Sequence, residues 1–178
     1  MTEKELIQVE VADLIEDQAS SSPIVILRDL PSNRLLPIWI GDPEARAIAI
    51  SLNKMSVPRP MTHQLLLNVV EKTGGKLSKI VIDGLKNNTY FASLYVEAGG
   101  KFVQIDARPS DAIALALQAG IPVFVDKSIM DSASQPNPFK DLSLKQEKRE
   151  NKNGFNKWDL EKLKELLEKA RRREQESF

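Results

Sequence analysis

The sequence contains no cysteine and only one histidine. The first absence removes thiolate zinc sites, cysteine nucleophiles and disulfide staples, and it fits a reducing compartment. The second removes any site built on paired metal-ligating histidines. No apolar run approaches the ~20 residues that span a bilayer. The stretch from Met1 to Leu14 has no basic region ahead of an apolar one, so it does not read as a signal peptide. Together these absences predict a cytoplasmic protein with no membrane segment. Also missing are a phosphate-binding Gly-rich loop, an HExxH, a GxSxG and any repeat at a solenoid period.

Net charge is absent too, since 25 basic side chains balance 25 acidic ones. The balance hides an asymmetry. Residues 1–139 carry 13 positive and 16 negative side chains, and residues 140–178 carry 12 and 9. A domain that grips duplex nucleic acid shows a basic patch or stripe, and the larger part of this chain has none in its totals.

What is present is enough for one domain with a real core, at 178 residues. Three strands open the chain: a loosely alternating Leu6 to Ile15, then Ile24 to Leu27, then Leu35 to Ile40, separated by Ser/Pro/Asn turns. Gly41–Asp42–Pro43–Glu44 has the grammar of a helix start, with Asp42 as the cap, and Ala45, Ile48, Ala49 and Leu52 form one apolar stripe. A second helix is expected from Thr62 to about Lys72, with Leu66, Val69 and Val70 facing the core. Three more strands follow, turning at Asn87–Asn88 and Gly99–Gly100. A third helix opens near Pro109–Ser110–Asp111; its run Ala112 to Leu117 is apolar on every side and predicts central burial. Pro122 to Val125 reads as a last short strand. The fold expected is α+β with an antiparallel or mixed sheet. Its order is three strands, two helices, three strands, a buried helix and a short strand. Residues 1–130 would form this domain, 131–156 a polar linker, and 157–178 a separate charged amphipathic helix able to dock a protein partner.

Polar chemistry gathers at three helix starts: Asp42–Pro43–Glu44, Arg59–Pro60–Met61–Thr62–His63 and Asp106 to Asp111. In two of them an Arg–Pro pair precedes a hydroxyl residue, Thr62 or Ser110. With backbone N–H groups this arrangement suits an anion such as phosphate, held by Arg59 and Arg108. Glu44, Asp106 and Asp111 would suit a hard divalent cation such as Mg²⁺ if they converge. His63 would serve as general acid or base. The competing reading is structural: Asp42, Thr62 and Ser110 or Asp111 are cap residue types, and Arg59 and Arg108 can neutralise Asp106 and Asp111. Trp39 lies in an apolar strand and reads as core, with no partner aromatics implying a stacking platform.

Leu36 to Leu52 (LPIWIGDPEARAIAISL), Pro58 to Leu66 (PRPMTHQLL) and Ile105 to Leu117 (IDARPSDAIALAL) followed by PVFV resemble the bifunctional nuclease domain family. The Asn87–Leu94 stretch lies between them, and the resemblance covers about residues 6–130. It implies an α+β domain that cleaves RNA and DNA and assembles as a dimer or larger. It places Glu44, Arg59, Thr62, His63, Asp106, Arg108, Ser110 and Asp111 on family motifs. Gln64 stands where the family commonly has an acid. If that acid were a metal ligand, this chain would bind metal more weakly or differently. Against phosphodiester cleavage stands a non-enzymatic regulatory or assembly module that binds an anion or a protein.

Overall fold

The computed structural model describes residues 5–17, 19–55 and 57–137. Two antiparallel meanders build one sheet. The first is β1 (Leu6–Asp17), β2 (Ser22–Asp29) and β3 (Arg34–Trp39); the second is β4 (Gly75–Lys86), β5 (Thr89–Ala98) and β6 (Lys101–Ala107). Between the meanders in sequence lie helices α1 (Asp42–Leu52) and α2 (Thr62–Lys72), and α3 (Pro109–Ala119) follows β6. β7 (Val123–Asp126) then slots between β4 and β1, parallel to the first and antiparallel to the second, and fuses the meanders. Helix α4 (Lys127–Ala133) and the two-residue β8 (Gln135–Pro136) complete an eight-stranded mixed sheet in the order β6-β5-β4-β7-β1-β2-β3-β8.

The α+β class and the element order match the sequence reading up to β7. Beyond residue 130, α4 continues to Ala133 and β8 pairs with β3. The charged helix expected over 157–178 lies outside the described residues.

Turn chemistry sets the hairpins. Asn87 and Asn88 both have positive φ, 49° and 57°. Asparagine tolerates that region, and such a pair twists the chain in the sense that flanking strands need. Gly99 and Gly100 do the same between β5 and β6, with φ of 57° and 74°.

All three longer helices cover one face of the sheet, with α1 over β2, α3 over β4 and β5, and α2 beside α3 over β4. α3 is central as its all-round apolar sequence requires: Ala112 through Ala116 are buried without exception. α2 departs from expectation. Leu67 is its buried residue, whereas Leu66 and Val69 face outward. The helix docks on the side of His63, Leu67 and Val70, so the apolar stripe is rotated partly off the core. On the opposite sheet face a smaller cluster of Ile15, Ile24, Ile26 and Leu35 packs with Trp39. There too the Lys79 ammonium lies 4.7 Å from the centroid of Tyr95 and 5.7 Å from that of Phe124.

Candidate functional site

None of the three helix starts is capped by its own side chain. Gly41, Met61 and Arg108 occupy the N-cap positions with extended backbone, so Asp42 and Thr62 are first helical residues and Ser110 and Asp111 lie inside the first turn of α3. Side chains that would cap are therefore available for other contacts, and two segments use them. Pro109 starts α3 without needing an amide donor, which sets Arg108 just outside the helix and Asp111 one turn in. Arg108 Nε donates to Asp111 Oδ2 at 2.7 Å and Nη2 to Oδ1 at 3.1 Å, a two-pronged pair. Arg108 Nη1 reaches across to Glu44 Oε1 of α1 at 2.7 Å. His63 Nε2 of α2 lies 3.0 Å from Asp111 Oδ1.

The result is one polar chain, His63–Asp111–Arg108–Glu44, joining the starts of α2, α3 and α1. Gly41 helps to build it: a Cβ there would collide with a Glu44 carboxylate oxygen. The carboxylate can therefore lie back over the helix start while facing Arg108. Burial pushes the Asp111 carboxyl upward, but the hydrogen bonds from Arg108 and His63 and their charges outweigh it, and its pKa falls below the ordinary value. Asp111 is thus an acceptor only, so the His63 Nε2 beside it is the donor of the hydrogen bond they share. Arg108 is raised above its usual value by the same Asp111 hydrogen bonds, then by Glu44. Its side chain stays 64% exposed, and its three bonds leave two of five N–H groups for an incoming anion.

Beside this chain opens a cleft of about 730 Å³, bounded by Glu44, Arg108 and Ser110 and by Trp39, Thr89 and Tyr90. The volume suits a small-molecule or single-residue ligand. Trp39 is only half-buried, and its indole Nε1 lies 3.4 Å from Asp17 Oδ2. Its place in an apolar strand concealed that it borders the cleft. Tyr90, placed by the Asn87–Asn88 turn at the start of β5, borders the cleft as well.

Two expected members are elsewhere. Asp106 is the cross-strand partner of Ser93, whose hydroxyl bonds Asp83, so it projects from the sheet face away from the helices. Strand alternation carries it off the site although Arg108 is only two residues on. Arg59 lies exposed in the segment before α2 and makes no ion pair among the described residues. Thr62 is exposed at the first position of α2, while Ser110 is buried at the cleft wall. The divalent-cation set Glu44, Asp106 and Asp111 does not assemble: the first and third are bridged by Arg108 and the second faces away. Among the described residues no three His, Asp or Glu side chains come together to hold a metal.

A mixed sheet with helices on one face and a His–Asp–Arg–Glu chain across three helix starts defines an α+β domain with one polar site. Comparison with known proteins then places it. The family model for the bifunctional nuclease domain matches residues 25–138, and the chain belongs to that family. An uncharacterized protein of Mycobacterium tuberculosis is 34% identical over 126 residues, covering 71% of this chain and 75% of that protein. Bifunctional nuclease 2 of Arabidopsis thaliana is 28% identical over 116 residues, 64% of this chain and 35% of its own length. Bifunctional nuclease 1 of Oryza sativa subsp. japonica is 25% identical over 118 residues, 65% and 36% respectively.

Proposed function

We propose that this protein is a nuclease that hydrolyses phosphodiester bonds in RNA and DNA, with the His63–Asp111–Arg108–Glu44 chain as its reactive centre. The observation that carries the reading is the convergence of three separated motif segments on one chain of hydrogen bonds beside a cleft. Family membership and the plant relatives' names support the chemistry.

Arg108 holds the phosphate through its two remaining N–H groups and stabilises the charge that builds on the phosphoryl oxygens. Asp111 holds His63 so that Nδ1 accepts a proton from water as the water oxygen bonds to phosphorus. The bond from phosphorus to the leaving oxygen breaks, and that oxygen takes its proton from solvent. Glu44 fixes the far side of the guanidinium. The divalent cation expected from sequence has no converged ligand set, so no step runs through one.

The test is cleavage of single-stranded DNA and RNA by purified protein, followed through two orthogonal columns. Activity should track the protein and fall about 100-fold or more in His63→Ala. Undiminished cleavage by that variant would sink the assignment. A second reading is favoured by the mutual neutralisation of Arg108, Glu44 and Asp111 and by the acidic balance of residues 1–139. In it the chain is a regulatory or assembly module whose polar network only ties helices together; activity that parts from the protein peak would establish it.

A further inference from the structure

Helix α2 is apolar on two sides. Its inner side, where Leu67 is buried, docks on α3 and β4. On the other side Met61, Leu65 and Val69 stand four residues apart and so form one ridge along the helix. They are 51%, 56% and 50% exposed, and Leu66 beside them is 45% exposed. Large apolar side chains exposed in one contiguous row mark an interaction surface, unlike the single ones scattered over any protein. The row has the shape for another helix, because a ridge of side chains four apart packs into the groove of a neighbouring helix.

The chain itself supplies a segment with the matching pattern. Beyond Asn137, the last described residue, Leu160, Leu163, Leu167 and Ala170 fall at i, i+3, i+7 and i+10 among Lys, Glu and Arg. That is the narrow seam of a helix that packs against one other helix. A single helix of this length is marginal in water, so the seam needs a partner in order to form. Residues 160–170 match the 11 residues of α2 in length, about 16 Å as helix. The charge balances are complementary as well. Residues 1–139 carry 13 basic and 16 acidic side chains, and residues 140–178 carry 12 and 9.

We infer that residues 157–178 dock as a helix on the outer side of α2 in the same molecule, with the Leu160–Leu163–Leu167 seam laid along the Met61–Leu65–Val69 ridge. Reach permits it. Asn137 is tied to the β2–β3 turn by its hydrogen bond to Asn33, and residues 138–159 connect it to the seam. A flexible connection of that length has a mean reach of about 26 Å, and a small domain is about 30 Å across. A connection whose reach matches the span holds its segment at a millimolar effective concentration. A modest apolar contact then suffices, and α2 of the same copy is favoured over any separate partner. His63 meets Asp111 of α3 on the inner side of α2, so docking covers the ridge and leaves the polar site open. This inference stands apart from the nuclease reading.

Amide hydrogen exchange of the full chain tests it. Residues 160–170 should exchange about 10-fold or more slowly than an unstructured chain. Leu65→Asp/Val69→Asp on the ridge should abolish that protection while α3 and the strands stay protected. Both side chains are already half-exposed, so this variant keeps its fold. Leu163→Asp/Leu167→Asp on the seam, far from the described core in sequence, should abolish it too. Protection in the natural chain should be the same after a ~100-fold dilution, as an intramolecular contact requires. Free exchange at 160–170 in the natural chain, or protection that survives the ridge substitutions, would overturn the inference. So would protection that fades on dilution, because the occupant would then be a second copy.

Discussion

Asp111 accepts from Arg108 and His63 at once, and that position governs the residue-scale behaviour of the site. Its folded pKa is depressed against the opposing effect of burial. A group of this kind stabilises the fold above its unfolded pKa, about 3.9 for an aspartate, and loses that contribution as pH falls through the lower folded value. Asp111→Asn should therefore flatten the decline of Tm in the acid range below about pH 4, while costing about 1 to 2 kcal/mol near neutrality through the weakened hydrogen bonds; thermal melts of both proteins over pH check it. Arg108→Ala should lower cleavage about 100- to 1,000-fold if phosphate charge develops against it. Asp106→Asn, whose side chain faces away from the site, should cut at nearly the natural rate, and a parallel loss in both variants would return Asp106 to the centre. Of the residues singled out from sequence, His63, Arg108, Asp111 and Glu44 are brought together, and Ser110 lines the cleft beside Glu44 and Arg108. Their helix-start grammar made them visible. Asp106 stands apart because adjacency along a strand says nothing of face, which is decided by the parity of the register with Ser93.

At the scale of elements, α3 was the most legible piece, since only a buried helix can be apolar all round. Ile113 is fully buried in the main core, and Ile113→Ala should cost about 3 kcal/mol in chemical denaturation through lost contacts and a residual cavity. Gly41 offers a finer test. A methyl there would meet only the movable end of Glu44, and its φ of −85° is open to any residue. Gly41→Ala should thus cost under about 1 kcal/mol yet displace Glu44 from Arg108, which lowered cleavage at nearly unchanged Tm would reveal. The capping expected of Asp42 and Thr62 failed for a common reason. Each helix begins one residue earlier than a cap at Asp42 or Thr62 would need, with the backbone of Gly41 or Met61 turning the chain instead. For α2, periodicity identified an apolar stripe but could not say what lies opposite it, and Leu66 and Val69 turned out to face outward.

Taken whole, the molecule joins two meanders through β7, and the starts of α1, α2 and α3 meet across the helix layer. No described helix is long and apolar enough to cross a membrane. Removing residues 140–178 takes away 12 basic and 9 acidic side chains. The shortened protein should keep cleaving single strands while its binding shows a shallower salt slope; loss of cleavage would place substrate capture in that segment. From the sequence alone came the α+β class, the order of elements to β7, the buried helix and the polar helix starts. Each follows from periodicity, turn chemistry or cap composition, which act within a few residues. The pairing of Arg108 with Glu44, the separation of Asp106 from Asp111, the cleft under Trp39 and Tyr90 and the outward ridge of α2 were decided only by tertiary structure, because each depends on strand order, register and face between segments distant along the chain.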